Sequence, residues 1–289
     1  MTRPVLCLAY RIEPVALQHQ PATFTRAVGE ILSFGLWEEK QGYRPATTRC
    51  AVEALKSLSR RVNLFDTDAV KGFLAKAKVS DGRKERLSND LARFYRFRDI
   101  PFDKPRYRNV EKLLFVPLES EVKQLVSGMG QKTGTFLELL RETGTRCGEA
   151  WNLKWVDFDF ERSAVNVAAE KNSKPRQLKI SSRLVAMVNR LPRKSVYLFR
   201  ETEQDPIASF HGARRNFEGQ RKRLAIKLQN PRLMQIHFHT LRHFKATLEY
   251  HKTKDILHVM QLLGHKNIRN TLVYTHLVNW QSDEFVTSI

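Results

Sequence analysis

Cysteine is scarce in this sequence, and the three cysteines that occur are far apart. Cys7, Cys50 and Cys147 are odd in number and show no C-x-x-C spacing, so they fit a reducing cytoplasm and predict no zinc site. Long apolar runs are also missing. The run Val5–Tyr10 is short and is followed by Arg11, so we expect neither a signal peptide nor a membrane span there.

Residue groups typical of metal or nucleotide sites are also absent. Seven of the nine histidines lie between positions 237 and 276, but they fall on several helical faces and no H-E-x-x-H motif occurs. Gly128–Thr133 is similar to a phosphate loop, yet it lacks the glycine directly before the lysine and no strand precedes it. The sequence therefore predicts no metal and no cofactor. Most of a group of four histidines are interpreted as ordinary polar or packing residues: His237, His243, His251 and His258.

Acidic residues are outnumbered. The chain of 289 residues has 50 Lys+Arg against 30 Asp+Glu, a formal net charge of +20 and a pI of about 10.1. Ile207–Lys254 alone carries eleven Lys or Arg and two Glu. This surplus indicates a polyanionic partner, DNA or RNA first and an anionic membrane second, with a merely soluble basic protein as the alternative. The 42% hydrophobic content is typical of a globular protein, and the length allows two domains.

Hydrophobic periodicity divides the chain into a small helical part and a larger second part. Helices are predicted over Thr23–Lys40, over Pro45–Arg61, after Asp66, and over about Asp81–Arg98. A stretch rich in proline and charge follows, which predicts a linker. We therefore expect an N-terminal extension over 1–40, a helical DNA-binding domain over 41–102, a linker over 103–110, and a large domain with a short tail over 111–289.

The large domain is predicted to be helical around a small sheet. Helices are expected over Leu118–Ser127, over Thr135–Thr143 with Gly144 as a left-handed cap, and over Ser182–Leu191. Alternating apolar residues over Trp155–Ser181 predict a small antiparallel sheet with a tight connection at 170–175. A long basic helix is predicted over Ile207–Gln229. Its arginines are candidates for contact with a DNA backbone, with a solvated face as the alternative: Arg214, Arg215, Arg221 and Arg223.

The most informative stretch lies near the C-terminus. It contains His239-Thr-Leu-Arg242-His, then Leu-Gly-His265, then Tyr274 nine residues later. His239 and Arg242 are three residues apart and so share a helical face. Imidazoles, a guanidinium and a phenol, without a carboxylate cluster, suit the binding of a phosphodiester and its attack by a tyrosine.

Upstream, a turn is followed by Arg146, with Glu149 three residues later on a helix that Thr145 is expected to cap. This box, together with His239-x-x-Arg242, Leu-Gly-His265 and Tyr274, resembles the signature of the tyrosine recombinases, the phage integrase family. The resemblance implies a mainly α fold with a small antiparallel β-sheet, arranged as a two-domain C-shaped clamp. The catalytic domain would then lie at the C-terminus, and the helices of 41–102 would form the core-binding, SAM-like domain.

The family's chemistry implies a site-specific recombinase that cleaves and rejoins DNA. Tyr274 would attack a phosphodiester to give a 3′-phosphotyrosyl bond and a free 5′-hydroxyl. Arg146 and Arg242 would grip the non-bridging oxygens, since planar guanidinium groups suit phosphate. His239 would act as general base and then as acid on reversal.

The remaining roles also follow from the resemblance. His265 would donate a hydrogen bond to a phosphate oxygen, and Glu149 would orient Arg146 or His239. Lys171, in the hairpin pattern K-x-x-K-x-R, would protonate the departing 5′ oxygen, with Lys174 in the same turn as the alternative. No metal or nucleotide is needed, because the covalent intermediate stores the phosphodiester energy.

The resemblance also implies partners and context. We expect double-stranded DNA with specific recombination sites, a homotetramer on two duplexes, a monomer or dimer when free, and a cytoplasmic, nucleoid-associated protein. The tail Leu277–Ile289 would pack on the neighbouring subunit or fold onto its own domain. Xer-type resolution and mobile-element integration or excision both remain open. The alternatives are a type IB topoisomerase and a non-catalytic DNA-binding derivative of the fold.

Overall fold

The computed structural model describes residues 21–108, 113–170, 173–201 and 206–275. The described residues divide into two compact units, with the boundary between residues 112 and 113. Within the part of the chain that the structure describes, no helix is long and apolar enough to cross a membrane.

Helices form the first unit as far as it is described. They are α1 (Pro21–Lys40), α2 (Pro45–Ser59), α3 (Thr67–Lys76) and α4 (Asp81–Phe97). The four helices predicted for this region are confirmed, with ends that differ by one or two residues. Asp66 caps α3, because its carboxylate accepts hydrogen bonds from the backbone N–H groups of Asp68 at 3.1 Å and Ala69 at 2.9 Å. The core consists of apolar side chains that repeat at helical spacing and are fully buried, among them Ile31, Phe34, Leu55, Leu74, Leu91 and Phe94.

The second unit is helical around a small sheet. Its described α-helices are α5 (Glu119–Ser127), α6 (Gln131–Thr143), α7 (Cys147–Trp151), α8 (Ser182–Asn189), α9 (Pro206–Lys227), α10 (Phe238–Thr253), α11 (Ile256–Leu263) and α12 (Arg269–Leu272). Short 3-10 helices occupy Trp155–Asp157 and Pro231–Gln235. The predicted fold class, mainly α with a small antiparallel sheet, is confirmed.

The central helix of this unit is α6, which packs against α5, α8 and α10. It begins four residues earlier than predicted and includes Gly134, whose close approach to α5 explains the choice of glycine. A Cβ at this position would lie 2.9 Å from the backbone oxygen of Val126. Most of the α6 side chains are buried, including Phe136, which packs edge-to-face on Trp151, Phe199 and Phe238.

Three short strands form an antiparallel sheet in the order β1-β2-β3 within the described residues. They are β1 (Phe158–Asp159), β2 (Ala164–Val167) and β3 (Arg176–Lys179). Val165 pairs with both Phe158 and Leu178, and its fully buried side chain joins the core that α6 organises. The predicted sheet is therefore confirmed. Residues 171 and 172, in the β2–β3 connection, lie outside the described residues.

Candidate active site

The first part of the site is the turn between α6 and α7. Gly144 ends α6 with φ +61°, as predicted for a left-handed cap, because glycine adopts this conformation without steric cost. Helix α7 then begins one residue later than predicted: Arg146, not Thr145, is its N-cap. The Thr145 hydroxyl is buried and lies 3.0 Å from the hydroxyl of Thr143, so it is used inside the turn and not on the helix.

Glu149 joins Arg146 to the sheet. One carboxylate oxygen accepts from the backbone N–H of Arg146 at 2.9 Å, and the other accepts from its Nη1 at 3.2 Å. The same carboxylate accepts from Nη2 of Arg176, on β3, at 2.8 Å and from the hydroxyl of Ser173 at 2.7 Å. The Glu149 side chain has no exposed area, whereas 23% of the Arg146 side chain is exposed. Glu149 thus orients Arg146, and among the described residues it makes no hydrogen bond to His239.

The electrostatics of Glu149 follow from these contacts. Burial disfavours its ionised form, but the hydrogen bonds from Arg176 and the Arg146 backbone, with the charge of Arg176, outweigh burial and hold the pKa of Glu149 below its usual value. Sequence reasoning gave no role to Ser173 or Arg176. Arg176 is the last member of the K-x-x-K-x-R pattern. Its position as a charged residue on a strand that packs on a core was the signal that could have indicated a buried partner.

Arg242, on α10, lies at the centre of the site and is 1% exposed. Its Nη1 donates to the carbonyl of Gly144 at 2.6 Å and its Nη2 donates to the carbonyl of Leu263 at 2.9 Å. Both carbonyls adjoin left-handed turns, since Gly264 after α11 has φ +67°. Burial, with the charge of Arg146, lowers the pKa of Arg242 to about 10, so the guanidinium remains charged at neutral pH. One guanidinium therefore joins the α6–α7 turn to the end of α11.

His265 supports that guanidinium. Its Nε2 lies 2.8 Å from Nη2 of Arg242, and its Nδ1 lies 2.8 Å from the hydroxyl of Thr271. A guanidinium can only donate, so Nε2 is the acceptor, and Nδ1 carries the proton and donates to Thr271. Burial and the charges of Arg242 and Arg146 lower the pKa of His265 to about 4. In this DNA-free arrangement both ring nitrogens are used inside the protein, and the donation from His265 to a phosphate oxygen stays a prediction.

Tyr274 follows α12 and is 2% exposed. Its ring packs with Ala246 of α10 and with Val259 and Leu263 of α11. Its hydroxyl lies 3.0 Å from Nδ1 of His243. Burial raises the pKa of Tyr274, and the charges of Arg242 and Arg146 oppose that rise.

Two histidines of α10 lie side by side, and one of them, His243, contacts Tyr274. The rings of His239 and His243 meet edge to face, with centroids 4.7 Å apart. His239 keeps an exposed edge, while the removal of the rest of its ring from water, with the charges of Arg242 and Arg146, lowers its pKa. His243, one of the histidines interpreted as ordinary polar or packing residues, contacts the predicted nucleophile. The signal was its position four residues after His239, one helical turn along the same face.

Comparison with known proteins tests the family that these residues suggest. Residues 118–279, more than half of the chain, match the family model described as the phage integrase family. The chain belongs to this family. It is thus a tyrosine recombinase, an enzyme that recombines DNA by cleaving and rejoining its strands, and DNA is its partner.

Individual relatives fit this membership. The recombinase is 28% identical over 259 residues to tyrosine recombinase XerA of Pyrococcus furiosus, covering 84% of this chain and 88% of that protein. It is 30% identical over 162 residues to tyrosine recombinase XerC of Oceanobacillus iheyensis, covering 54% and 53% of the two chains. Among solved structures, XerH bound to palindromic difH substrate has a TM-score of 0.62 at 17% identity, covering 86% and 81%. A lambda integrase dimer bound to a core site has a TM-score of 0.62 at 15% identity, covering 92% and 84%. These two structures support the fold.

The hairpin of the recombinase contacts the Leu-Gly-His turn. The backbone N–H of Lys174 donates to the carbonyl of Gly264 at 3.0 Å, and a Cβ on Gly264 would lie 2.9 Å from the Lys174 carbonyl. The side chain of Lys174 is exposed. Lys171, the preferred hairpin lysine, lies outside the described residues, so the choice between the two lysines stays a prediction.

The arginines of α9 differ in their surroundings. Arg215 and Arg223 are exposed, and Arg214 pairs with Glu218 at 3.0 Å. Arg221 departs from the prediction: it is 5% exposed, and its guanidinium donates to the carbonyl of Ile236 and contacts the His237 ring. Its side chain is therefore used inside the protein and is not presented to a DNA backbone.

The histidines of the described residues are not grouped as metal ligands. Across the described ranges, no cluster of three or more His, Cys, Asp or Glu side chains is placed to hold a metal ion. His258 lies 3.2 Å from Glu249, and His265 and His243 have the partners given above. That the reaction needs no metal stays a prediction.

Proposed function

We propose that this chain is a site-specific recombinase whose Tyr274 oxygen attacks a DNA phosphodiester, giving a 3′-phosphotyrosyl bond and a free 5′-hydroxyl. The observation that carries the proposal is the convergence of Tyr274 with Arg146, Arg242 and His265. These residues come from three separate parts of the second unit, and Arg242 binds two of those parts directly. Packing alone gives no reason to bring a phenol and two guanidinium groups into one largely buried cluster.

In this proposal the side chains of the two arginines differ in how tightly the protein holds them. Arg146 is held from one side by Glu149 and keeps an exposed part of its side chain, so it can follow a phosphate as it enters. Arg242 is fixed by three hydrogen bonds to Gly144, Leu263 and His265. A charge fixed before the reaction stabilises the pentacoordinate transition state without reorganisation. His239 completes the phosphate site with its exposed edge.

The other predicted residues position the arginines, protonate the leaving group or bind the DNA backbone. His265 keeps Arg242 in position, and Glu149 does the same for Arg146. Lys171 donates the proton that the leaving 5′ oxygen needs, with Lys174 as the alternative in the same connection. Arg214, Arg215 and Arg223 on α9 contact the DNA backbone. Neutralising phosphates in this way adds affinity without reading the sequence.

The proposal extends to the assembly and the biological role of the protein. We infer a homotetramer on two duplexes, formed from free monomers or dimers, that performs Xer-type resolution or the integration and excision of a mobile element in the cytoplasm, at the nucleoid. A tetramer on a Holliday junction is known for lambda integrase, which shares the fold at a TM-score of 0.60. The predicted tail contact involves 277–289, which lie outside the described residues.

The test is a covalent-trapping assay on nicked duplex DNA. A site is first selected from random duplexes by binding to the Tyr274→Phe variant, and the nick then lets the cleaved strand end diffuse away. The wild-type protein is expected to form an adduct on the 3′ phosphate, and Tyr274→Phe is expected to form none. An adduct in Tyr274→Phe would refute the nucleophile. An adduct without strand transfer to a second duplex would favour a type IB topoisomerase activity.

A further inference from the structure

The predicted nucleophile has a proton acceptor that the sequence did not suggest. The Tyr274 oxygen lies 3.0 Å from Nδ1 of His243, while no hydrogen bond joins Tyr274 to His239 in the described residues. The Tyr274 side chain is 2% exposed, so water has little access to its hydroxyl. The phenolic proton therefore leaves toward His243 or toward the incoming phosphate.

We propose that His243, and not His239, accepts the proton of Tyr274 as its oxygen attacks the phosphodiester, a role that rests on the proposed function. The hydrogen bond is assigned with the phenol as donor and Nδ1 as acceptor, which places the single N–H proton of the neutral ring on Nε2. The 3.0 Å distance lies within the range needed for proton transfer by a general base. His239 is then free to bind the phosphate.

Each proton in the cleavage step has a donor and an acceptor. The O–H bond of Tyr274 breaks as its oxygen bonds to phosphorus, and the proton moves to Nδ1 of His243, which becomes an imidazolium. The bond between phosphorus and the 5′ oxygen breaks, and that oxygen takes a proton from the hairpin lysine. In rejoining, the 5′-hydroxyl gives its proton back to the hairpin lysine as its oxygen attacks phosphorus. The bond between phosphorus and the Tyr274 oxygen breaks, and His243 returns its proton to that oxygen.

The surroundings of His243 keep its ring neutral before DNA binds. Burial, with the charges of His239 and Arg242, lowers its pKa to about 4, so the ring is neutral and its lone pair is available at neutral pH. The titratable and charged groups around it are His239 and Arg242 on its own helix and Tyr274 after α12. Arg146, near the start of α7, acts on Tyr274. An incoming phosphodiester adds a negative charge to this group, which favours the imidazolium as the proton arrives.

The test measures single-turnover cleavage of the nicked substrate from pH 6 to pH 9. The variant His243→Asn keeps an amide near the position of Nδ1 but cannot take a proton. We expect its cleavage rate constant at pH 7 to fall by about 100- to 10,000-fold, with unchanged affinity for the uncut site. We expect the loss to shrink steadily as the pH rises, because a phenol that ionises by itself needs no base. His251→Asn, on the same helix and away from Tyr274, is the matched control and should stay within about threefold of wild type.

A second measurement separates chemistry from folding. Thermal melting establishes that His243→Asn is folded, and a fluorinated tyrosine at position 274 supplies a more acidic phenol. Rescue of His243→Asn by the fluorinated tyrosine is expected, since a merely structural role would not respond to phenol acidity. A folded His243→Asn that cleaves at the wild-type rate, or a loss that is constant with pH and not rescued, would overturn the inference alone. An adduct that persists in Tyr274→Phe would overturn the proposed function and this inference with it.

Discussion

Replacing Glu149 with glutamine tests the structural basis of the site directly. The change keeps the size of the side chain and removes one negative charge that serves two guanidinium groups. The carboxylate is fully buried and accepts hydrogen bonds from the Arg146 backbone, Arg146 Nη1, Arg176 Nη2 and the Ser173 hydroxyl, all at 3.2 Å or less. In Glu149→Gln one oxygen becomes an NH₂ group that faces other donors. Since breaking a buried ion pair from one side costs about 3–5 kcal/mol, we expect the free energy of unfolding to fall by about 3 kcal/mol.

The assay is urea unfolding followed by tryptophan fluorescence in a Trp37→Phe background. The remaining tryptophans, at 151, 155 and 280, all belong to the second unit, which begins at residue 113. The fluorescence signal therefore reports the unfolding of the unit that contains Glu149. Glu161→Gln is the matched control, because Glu161 is an exposed carboxylate of the same unit. Its effect should be within about 0.5 kcal/mol of zero, as for most surface changes.

The pH dependence gives a second check on the same residue. The pKa of Glu149 is below its usual value of 4.5 in the folded protein, so its stabilising contribution is present above pH 4.5 and is lost as the pH falls through the folded pKa. The gap between wild type and Glu149→Gln should therefore narrow in acid. A gap of less than about 0.5 kcal/mol at pH 7, or an equal loss in Glu161→Gln, would refute the reasoning.

Four further predictions concern other parts of the second unit. Arg215→Ala should weaken DNA binding and reduce the slope of log affinity against log salt by about one. Arg221→Ala should instead lower the free energy of unfolding by about 2 kcal/mol, because its guanidinium binds the protein. Gly264→Ala should lower the melting temperature, since φ is +67° and a Cβ would lie 2.9 Å from the Lys174 carbonyl. The left-handed conformation alone costs about 1–2 kcal/mol. His265 should also contribute about 2 kcal/mol to the loss of stability between pH 7 and pH 5, because its pKa is lowered to about 4 in the folded protein and its unfolded form takes up a proton below about pH 6.5.

Each of these has its own control. Salt titration of DNA binding should show no change of slope in Arg221→Ala, and an equal change in both arginine variants would contradict the assignment. Gly72→Ala, inside α3 with nothing within 4 Å of the added Cβ, should stabilise or leave the protein unchanged. In urea unfolding at pH 5 and pH 7, His265→Asn should reduce the loss of stability between the two pH values by about 2 kcal/mol, and an unchanged loss would assign it to other groups.

Local patterns in the sequence predicted many of the helices and turns. Helical periodicity predicted α2, α3 and α4 to within two residues, because each helix buries one apolar stripe that recurs every three to four residues. The left-handed turn at Gly144 was predicted for the same local reason, since few residues other than glycine adopt that conformation. Boundaries without such a signal were less accurate: α6 begins at Gln131 and not at Thr135, because tertiary packing against Val126 accommodates Gly134 inside the helix.

The sequence by itself determined the class of chemistry. The spacings of the signature residues follow from helix geometry and from their order along the chain, and the sequence shows both directly. These residues are His239, Arg242, His265 and Tyr274. The tertiary structure decided which groups those side chains contact. Arg242 binds a carbonyl 98 residues away and His243 binds a hydroxyl 31 residues away, and no periodicity along the chain encodes such pairs. A hydrogen bond depends on distances of a few tenths of an ångström, which only the packed arrangement of helices and turns determines. For the same reason, Arg221 was predicted on the surface and lies inside the protein.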